Sequence, residues 1–378
     1  MKSFSRQRMF FCLFFLSAAL TAAPAEPDYY WSADNTADIR IPGGKHIAPL
    51  QQEGVTYAPG IQGQAFRVDG IKNLRYNAEK LFEEKGSLSL WIAPGFNGWE
   101  SRGVYCLLMF LKTGGAVTPF SWMHIYQGTC FYIPTESADV ENRIRFYQSA
   151  TAGDWMHFAV TWGDRNWCTV YCNGRPVSAK RFSGTDFSRV KELIVGTVPG
   201  KWEPFKGCLD EIKLYKRVIT PEEIFAEYAS HAVFDFVCDR EVFPAGEKIT
   251  PELIAAPLGR LHGNMLPSHS PEPSAGDVTL SLLDDKGKTL SEKQWKALKI
   301  SDWTTLQLPS VALPPGTYRL VARAQNGART LQSTFRLIVS DMKPEVAPSG
   351  ELCLGKPFFT KSGIDFAAAP AGDRKSVV

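Results

Sequence analysis

The chain has 378 residues, with 42 Lys and Arg against 39 Asp and Glu, a formal net charge of +3. The first 25 residues hold three of the basic side chains and no acidic ones, so the remainder is balanced at 39 against 39. That balance excludes a generally basic surface of the kind that binds nucleic acid or an anionic membrane.

Lys2, Arg6 and Arg8 make a basic start, 9–20 is an apolar run, and Ala23-Pro24-Ala25 fits a small-x-small cleavage pattern. Residues 1–25 therefore read as a signal peptide, with the mature protein secreted, periplasmic or at the cell surface. The apolar run falls short of the roughly 20 residues that span a bilayer. No later stretch is long and apolar enough to do so, and no transmembrane segment is expected after cleavage. Seven cysteines follow the leader, at 106, 130, 168, 172, 208, 238 and 353. Cys168 and Cys172 share one strand face about 13 Å apart, too far to bridge. No C-x-x-C pair supports a zinc ribbon. Most of these thiols are expected to be buried as small apolar groups, with one disulfide among 106, 130 and 208 left open.

In chain order, 26–53 reads as polar and irregular. Segment 60–70 (GIQGQAFRVDG) reads as a turn and a strand. Segment 86–92 (GSLSLWI) alternates, with Leu88, Leu90 and Ile92 on one face and Ser87, Ser89 and Trp91 on the other, which predicts a half-buried strand. Further strands are predicted at 104–110, 120–126, 129–133 and 143–147. Segment 154–177 (DWMHFAVTWGDRNWCTVYCNGRPV) is the most informative. Strands at 155–162 and 167–172 flank a Gly163-Asp164-Arg165-Asn166 turn, and Asn173-Gly174 is a type I′ hairpin signal. Strands at 192–196 and 205–215 follow. Segment 220–228 is a helix, with Thr220 as cap, Pro221 in first position and two acids in the first turn. About a dozen short strands and one helix predict an all-β sandwich or jelly roll over 26–232.

A second unit is expected over 233–341. Its strands fall at 233–238, 278–283, 304–308, 316–324 and 330–339, with a long Pro-rich loop at 251–276 and turns at Asp285-Lys286-Gly287 and Asn326-Gly327. Its length and lack of helices suit an immunoglobulin-like β-sandwich. Residues 342–378 read as a linker and the stub of a further domain or a disordered tail. Two strand-like pieces there, 351–359 and 363–368, are too few to bury a core.

The segment Trp155-Met156-His157-Phe158-Ala159, followed by Val170-Tyr171-Cys172-Asn173-Gly174, resembles the laminin-G-like and pentraxin-like branch of the concanavalin A-like lectin/glucanase jelly rolls. So do Phe205-Lys206-Gly207-Cys208-Leu209-Asp210-Glu211, Leu214-Tyr215 and Pro221-Glu222-Glu223-Ile224, with Ala65-Phe66 and Ser87 to Ile92 upstream in the right order. The resemblance covers roughly 28–232 and implies a concanavalin A-like jelly roll. It also implies that Asp69 and Asp210 sit close together near a sheet edge, as candidate ligands for a structural calcium ion. Residues 233–340 resemble a bacterial immunoglobulin-like module, chiefly at Pro315-Gly316-Thr317-Tyr318. The tail 350–359 is similar to a strand that precedes catalytic domains in secreted glycoside hydrolases.

A glucanase on this fold needs two carboxylates on one strand face. The nearest text, Glu136-Ser-Ala-Asp139-Val-Glu141, puts Glu136 and Asp139 on opposite faces, and Asp210-Glu211 also diverge. His157 has no nucleophile motif beside it and is expected to be packed and hydrogen-bonded. The six histidines show no metal-ligand spacing. No catalytic residue is therefore assigned. The expected function is non-catalytic recognition of a polysaccharide or glycan, with aromatic rings as platforms for sugar faces. Trp99 and Trp202, in Gly-, Pro- and charge-rich loops, are the foremost candidates, followed by Trp122 and Tyr126, with Tyr132 and Trp167 also available. The competing readings are a protein-binding or adhesion module that meets a surface protein, and the N-terminal accessory part of a secreted glycoside hydrolase.

Overall fold

The computed structural model describes residues 26–68, 73–98, 104–106, 109–113, 116–125, 128–132, 143–146, 150–164, 166–182, 187, 190–195, 203–261, 273–341, 358–360 and 363–365. The strands that organise the site are β1 (Gly86–Pro94), β2 (Met156–Asp164), β3 (Trp167–Cys172), β4 (Arg175–Arg181) and β5 (Gly207–Tyr215). They run in the order β4-β3-β2-β1-β5 within a 10-stranded antiparallel sheet, which continues through Tyr29–Trp31, Ile39–Ile41 and Lys45–Ile47. Residues 26–53 are thus not irregular: Tyr29 to Trp31 pair with β5, and Gln51–Glu53 joins the opposite sheet. The pieces are three residues each, too short for an alternation to show in their sequence.

The double hairpin forms as expected. Phe158 faces Cys172 and Trp162 faces Cys168. The register then shifts at Gly163, where φ is +95° and a Cβ would fall 2.4 Å from the Glu84 carbonyl oxygen. Asn173 and Gly174 both take positive φ, 49° and 74°, the pair of values a type I′ turn requires.

A 9-stranded sheet packs against the first, in the order Arg143–Phe146, Gly128–Tyr132, Ala116–Ile125, Met109–Thr113, Val190–Val195, Asn73–Asn77, Gln51–Glu53. The core between them takes Leu88, Leu90 and Ile92 from β1, Phe158, Val160 and Trp162 from β2, and Cys168, Val170 and Cys172 from β3. Cys168 and Cys172 behave as buried apolar groups, and burial pushes the Cys172 thiol up to about 12.

The prediction of a half-buried β1 fails. All nine of its residues are buried, because its second face is covered too. The cover is α1 (Pro221–Ala229), whose Thr220 and Glu223 form a reciprocal capping box. Ile219 and Ile224 pack on Ala159, Tyr171 and Tyr215.

The second unit has its own core. A three-stranded sheet of β6 (Phe234–Val237), β7 (Glu252–Pro257) and β10 (Thr304–Gln307) faces a five-stranded one, in which Val242–Pro244 leads into β12 (Arg329–Ser340), β11 (Gly316–Asn326), β8 (Ser274–Leu283) and β9 (Thr289–Ile300). The loop predicted at 251–276 is corrected: it contains β7, whose last five residues are buried, and the start of β8. Pro251 and Pro273 directly precede these strands and Pro257 ends the first, positions where proline is tolerated. β9 went unseen because it is a solvated edge strand rich in Lys, with no apolar alternation. In the tail, Phe358–Thr360 pairs with Gly363–Asp365.

Candidate functional site

On β1 the side chains alternate, so Ser87, Ser89 and Trp91 point away from the core. His157, Ala159 and Thr161 of β2 do the same, as do Lys213 and Tyr215 of β5. Onto this outer face α1 lowers one acid, Glu227, which is 3% exposed. Ser89 Oγ donates to Glu227 Oε2 at 2.5 Å, His157 Nε2 lies 3.2 Å from the same oxygen, and the Tyr215 hydroxyl donates to Oε1. Lys213 Nζ stands 3.9 Å from Oε1 and 3.7 Å from Glu211, which accepts from the Tyr30 hydroxyl. Burial works against the charge of Glu227, but the His157 hydrogen bond, Lys213 and Ser89 outweigh it and hold the carboxyl at about 2.

Serine, histidine and glutamate within hydrogen-bond reach invite comparison with a nucleophilic triad. The connectivity is different. In a triad the imidazole stands between hydroxyl and acid and takes the hydroxyl proton. Here the carboxylate stands in the middle, and both the serine and the histidine address it. Ser89 and His157 are each 0% exposed, so no substrate reaches them. The expectation that His157 is packed and hydrogen-bonded holds. The seam ties a helix to a sheet.

The seam continues into the second unit. Trp91 stacks near Tyr228 and takes the His231 ring edge-on at 5.1 Å. Phe225, Tyr228 and Ala232 pack with Leu331 of β12. Desolvation, with Lys213 and His157 nearby, lowers His231 to about 4. Asp154 Oδ1 accepts from Gln332 Nε2 at 2.8 Å and Thr334 Oγ1 at 2.9 Å, and Oδ2 from the Thr334 amide at 2.6 Å. The sequence carries a faint signal for Glu227, an acid set among Ile224, Phe225 and Tyr228 on the apolar side of a short helix. Asp154 carries none, since its partners lie 178 and 180 residues away.

Asp210 is fully buried in β5. Its Oδ2 accepts from the Gln62 amide at 3.2 Å and its Oδ1 from the Glu211 amide at 2.8 Å. Gly60 lies so close that a Cβ would sit 2.3 Å from Oδ2. Amide donors on both oxygens make a loop cap. Among the described residues no cluster of three or more His, Cys, Asp or Glu is placed to hold a metal. Asp69 lies outside the described residues. So do Trp99, Tyr126, Trp202 and the Glu136, Asp139, Glu141 group. Trp122 lies in Ala116–Ile125 with its main chain opposite Phe131, and Tyr132 opposite Ser121. Trp167, at the start of β3, is 47% exposed.

Desolvation raises Asp210 to about 7, and Asp154 and Asp235 to about 6. A carboxyl held above its unfolded value binds extra protons in the folded state, so stability rises as pH falls through that window. His231 acts in the opposite sense below its ordinary value. Three groups against one predict a thermal midpoint that rises between pH 7.5 and 5.5. Asp210→Asn should give a shallower slope, whatever its absolute midpoint. Melting curves across that interval check this, and a wild-type midpoint that falls on acidification contradicts it.

Two face-packed, largely antiparallel sheets with a helix sealing one outer face define the class: a concanavalin-like jelly-roll sandwich. A laminin-G model of the concanavalin A-like lectin/glucanases superfamily matches residues 72–225, and that segment is a domain of this superfamily. No curated protein matches the chain. Among solved structures it is similar to domain 4 of AbnA, an extracellular GH43 arabinanase of Geobacillus stearothermophilus in complex with arabinotriose, at 20% identity over 55% of this chain and 99% of that one, with a TM-score of 0.40. It is also similar to the binding domains of botulinum neurotoxin serotypes D and G. Both are 9% identical, covering 83% and 84% of this chain and 74% and 80% of theirs, with TM-scores of 0.43 and 0.45. Among the described residues no helix is long and apolar enough to cross a membrane.

Proposed function

We propose that this is an exported, non-catalytic carbohydrate-recognition protein whose lectin-type jelly roll is followed by an immunoglobulin-like module. The observation that carries the non-catalytic reading is the sealing of the Ser89–Glu227–His157 seam. The nearest thing to an acid–base constellation among the described residues is architecture, buried by a helix and a second unit. With that outer face occupied along α1, recognition falls to the rim loops and the remaining surface. The superfamily match supports a glycan as partner. For the second module, the support is strand order: three strands face a five-stranded sheet in which Val242–Pro244 runs parallel to the last strand, as in immunoglobulin-like sandwiches.

The test is affinity electrophoresis of the purified chain through gels holding neutral and acidic polysaccharides, with reducing-sugar release measured on the same panel. Retardation without sugar release is expected. Loss of retardation in Trp99→Ala or Trp202→Ala assigns it to those loops. Mobility unchanged on every polysaccharide, with capture of a surface protein instead, overturns the glycan reading; released sugar overturns the non-catalytic one.

A further inference from the structure

Five large apolar side chains are exposed among the described residues, and two of them, Trp167 and Val177, lie on the β3–β4 hairpin. Among the described residues the hairpin is the edge of the larger sheet, since β4 pairs there with β3 alone. Alternation fixes which face they occupy. Cys168, Val170 and Cys172 enter the core, so Trp167, Thr169 and Tyr171 point outward. Tyr171 is covered by α1; Trp167 is not. Across the ladder Arg181 stands directly opposite Trp167, and Ala179 opposite Thr169, on the same outer face. Val177, Ala179 and Arg181 are all exposed. The result is a strip about 13 Å long: an open indole at one end, small side chains along the floor, and a guanidinium beside the ring.

Two features say what the strip takes. An indole face left half in water forgoes much of the stabilisation that a buried aromatic provides, and offers an apolar plane of the size of a sugar ring. Arg181 has no hydrogen bond or ion pair among the described residues; from Trp167 to Arg181 the sequence holds three basic residues and no acid, and Asp164 of β2 stands opposite Trp167 on the side of the ladder away from Arg181. A free guanidinium pairs bidentately with a carboxylate. A neutral sugar would use the indole alone; a sugar carrying a carboxylate uses both.

We propose that the outer face of the β3–β4 edge is a binding site for an acidic glycan, with a uronate ring on Trp167 and its carboxylate on Arg181. This rests on the glycan reading above and names its substrate class and a site away from the rim loops.

The experiment measures binding of polygalacturonate, and of a neutral polysaccharide as control, by the whole chain and by Trp167→Ala, Arg181→Gln, Trp99→Ala and Trp202→Ala. Both hairpin residues are exposed, so the thermal midpoints of their variants should match wild type. Trp167→Ala should weaken polygalacturonate binding about tenfold. Arg181→Gln should weaken it by a similar factor and leave any neutral binding unchanged. Wild-type binding to polygalacturonate that survives both hairpin substitutions overturns this site while leaving the glycan reading intact. Binding to neutral polysaccharides alone overturns the acidic class. No binding to any polysaccharide overturns both.

Discussion

Replacing Glu227 with alanine is expected to destabilise the protein by about 3–5 kcal/mol, the range for removing one partner of a buried ionic pair, and to lower the thermal midpoint by about 10 °C. The carboxylate accepts from Ser89 Oγ and from the Tyr215 hydroxyl, and it faces His157 Nε2 and Lys213. Alanine leaves two buried hydroxyls, the buried His157 ring and the partly exposed Lys213 without their common partner. Glu227→Gln keeps the volume and one acceptor oxygen but removes the charge opposite Lys213, so its loss should fall roughly midway. The acid limb has a defined sign. A carboxyl held at about 2, below its ordinary value of 4.5, contributes stability above 4.5 that is lost as pH falls through about 2. The alanine variant should lack that loss. Calorimetry from pH 2 to 7 measures both effects. An alanine midpoint within about 2 °C of wild type would mean that the seam contributes nothing to holding α1 on the sheet.

The jelly roll was legible because its signals are local. Asn173-Gly174 states its turn, Thr220-Pro221-Glu222-Glu223 states its helix start, and the alternation of Leu88, Leu90 and Ile92 states a core face. What was illegible is what covers the other face. Ser87 and Ser89 look solvated because their partners, the main chain of Arg217 and Ile219 and the side chain of Glu227, are 130 to 138 residues away. Polar residues buried by long-range pairing write the same alternating pattern as polar residues in water. The same blindness hid β9, whose lysines make a stable edge strand read as a loop, and the interface that Asp154 makes. Trp167 is the converse. It was one of six aromatics open to either role, and only the direction of Cys168 and Val170 into the core settles that its ring points out.

The junction between the two units supplies the other large effect. Asp154→Ala should leave Gln332 Nε2, the Thr334 amide and Thr334 Oγ1 without their acceptor. At about 1–3 kcal/mol for each buried group left unpaired, and with Gln332 and Thr334 able to recover some solvent, the expected loss is about 2–4 kcal/mol. It should appear as uncoupling rather than as uniform weakening. The apolar contact of Leu331 with Trp91, Phe225 and Tyr228 remains, so each unit keeps its own core. The wild-type chain should melt in one transition and the alanine variant in two, with earlier proteolytic cutting between the units. Asparagine discriminates this account from a simple charge effect. Burial already raises Asp154 to about 6, so the site tolerates a neutral group. With the Asn oxygen placed at the Thr334 amide, its NH2 meets Thr334 Oγ1 and, after rotation of the Gln332 amide by half a turn, the Gln332 carbonyl, which gives up the solvent-exposed bond it accepts from Arg323. All three contacts are then remade without a charge. Asp154→Asn should therefore melt in one transition, within about 1 kcal/mol of wild type, and lose the part of the pH dependence that the raised carboxyl supplies. If asparagine splits the transition as alanine does, the junction depends on the charge and not on the geometry of these three bonds.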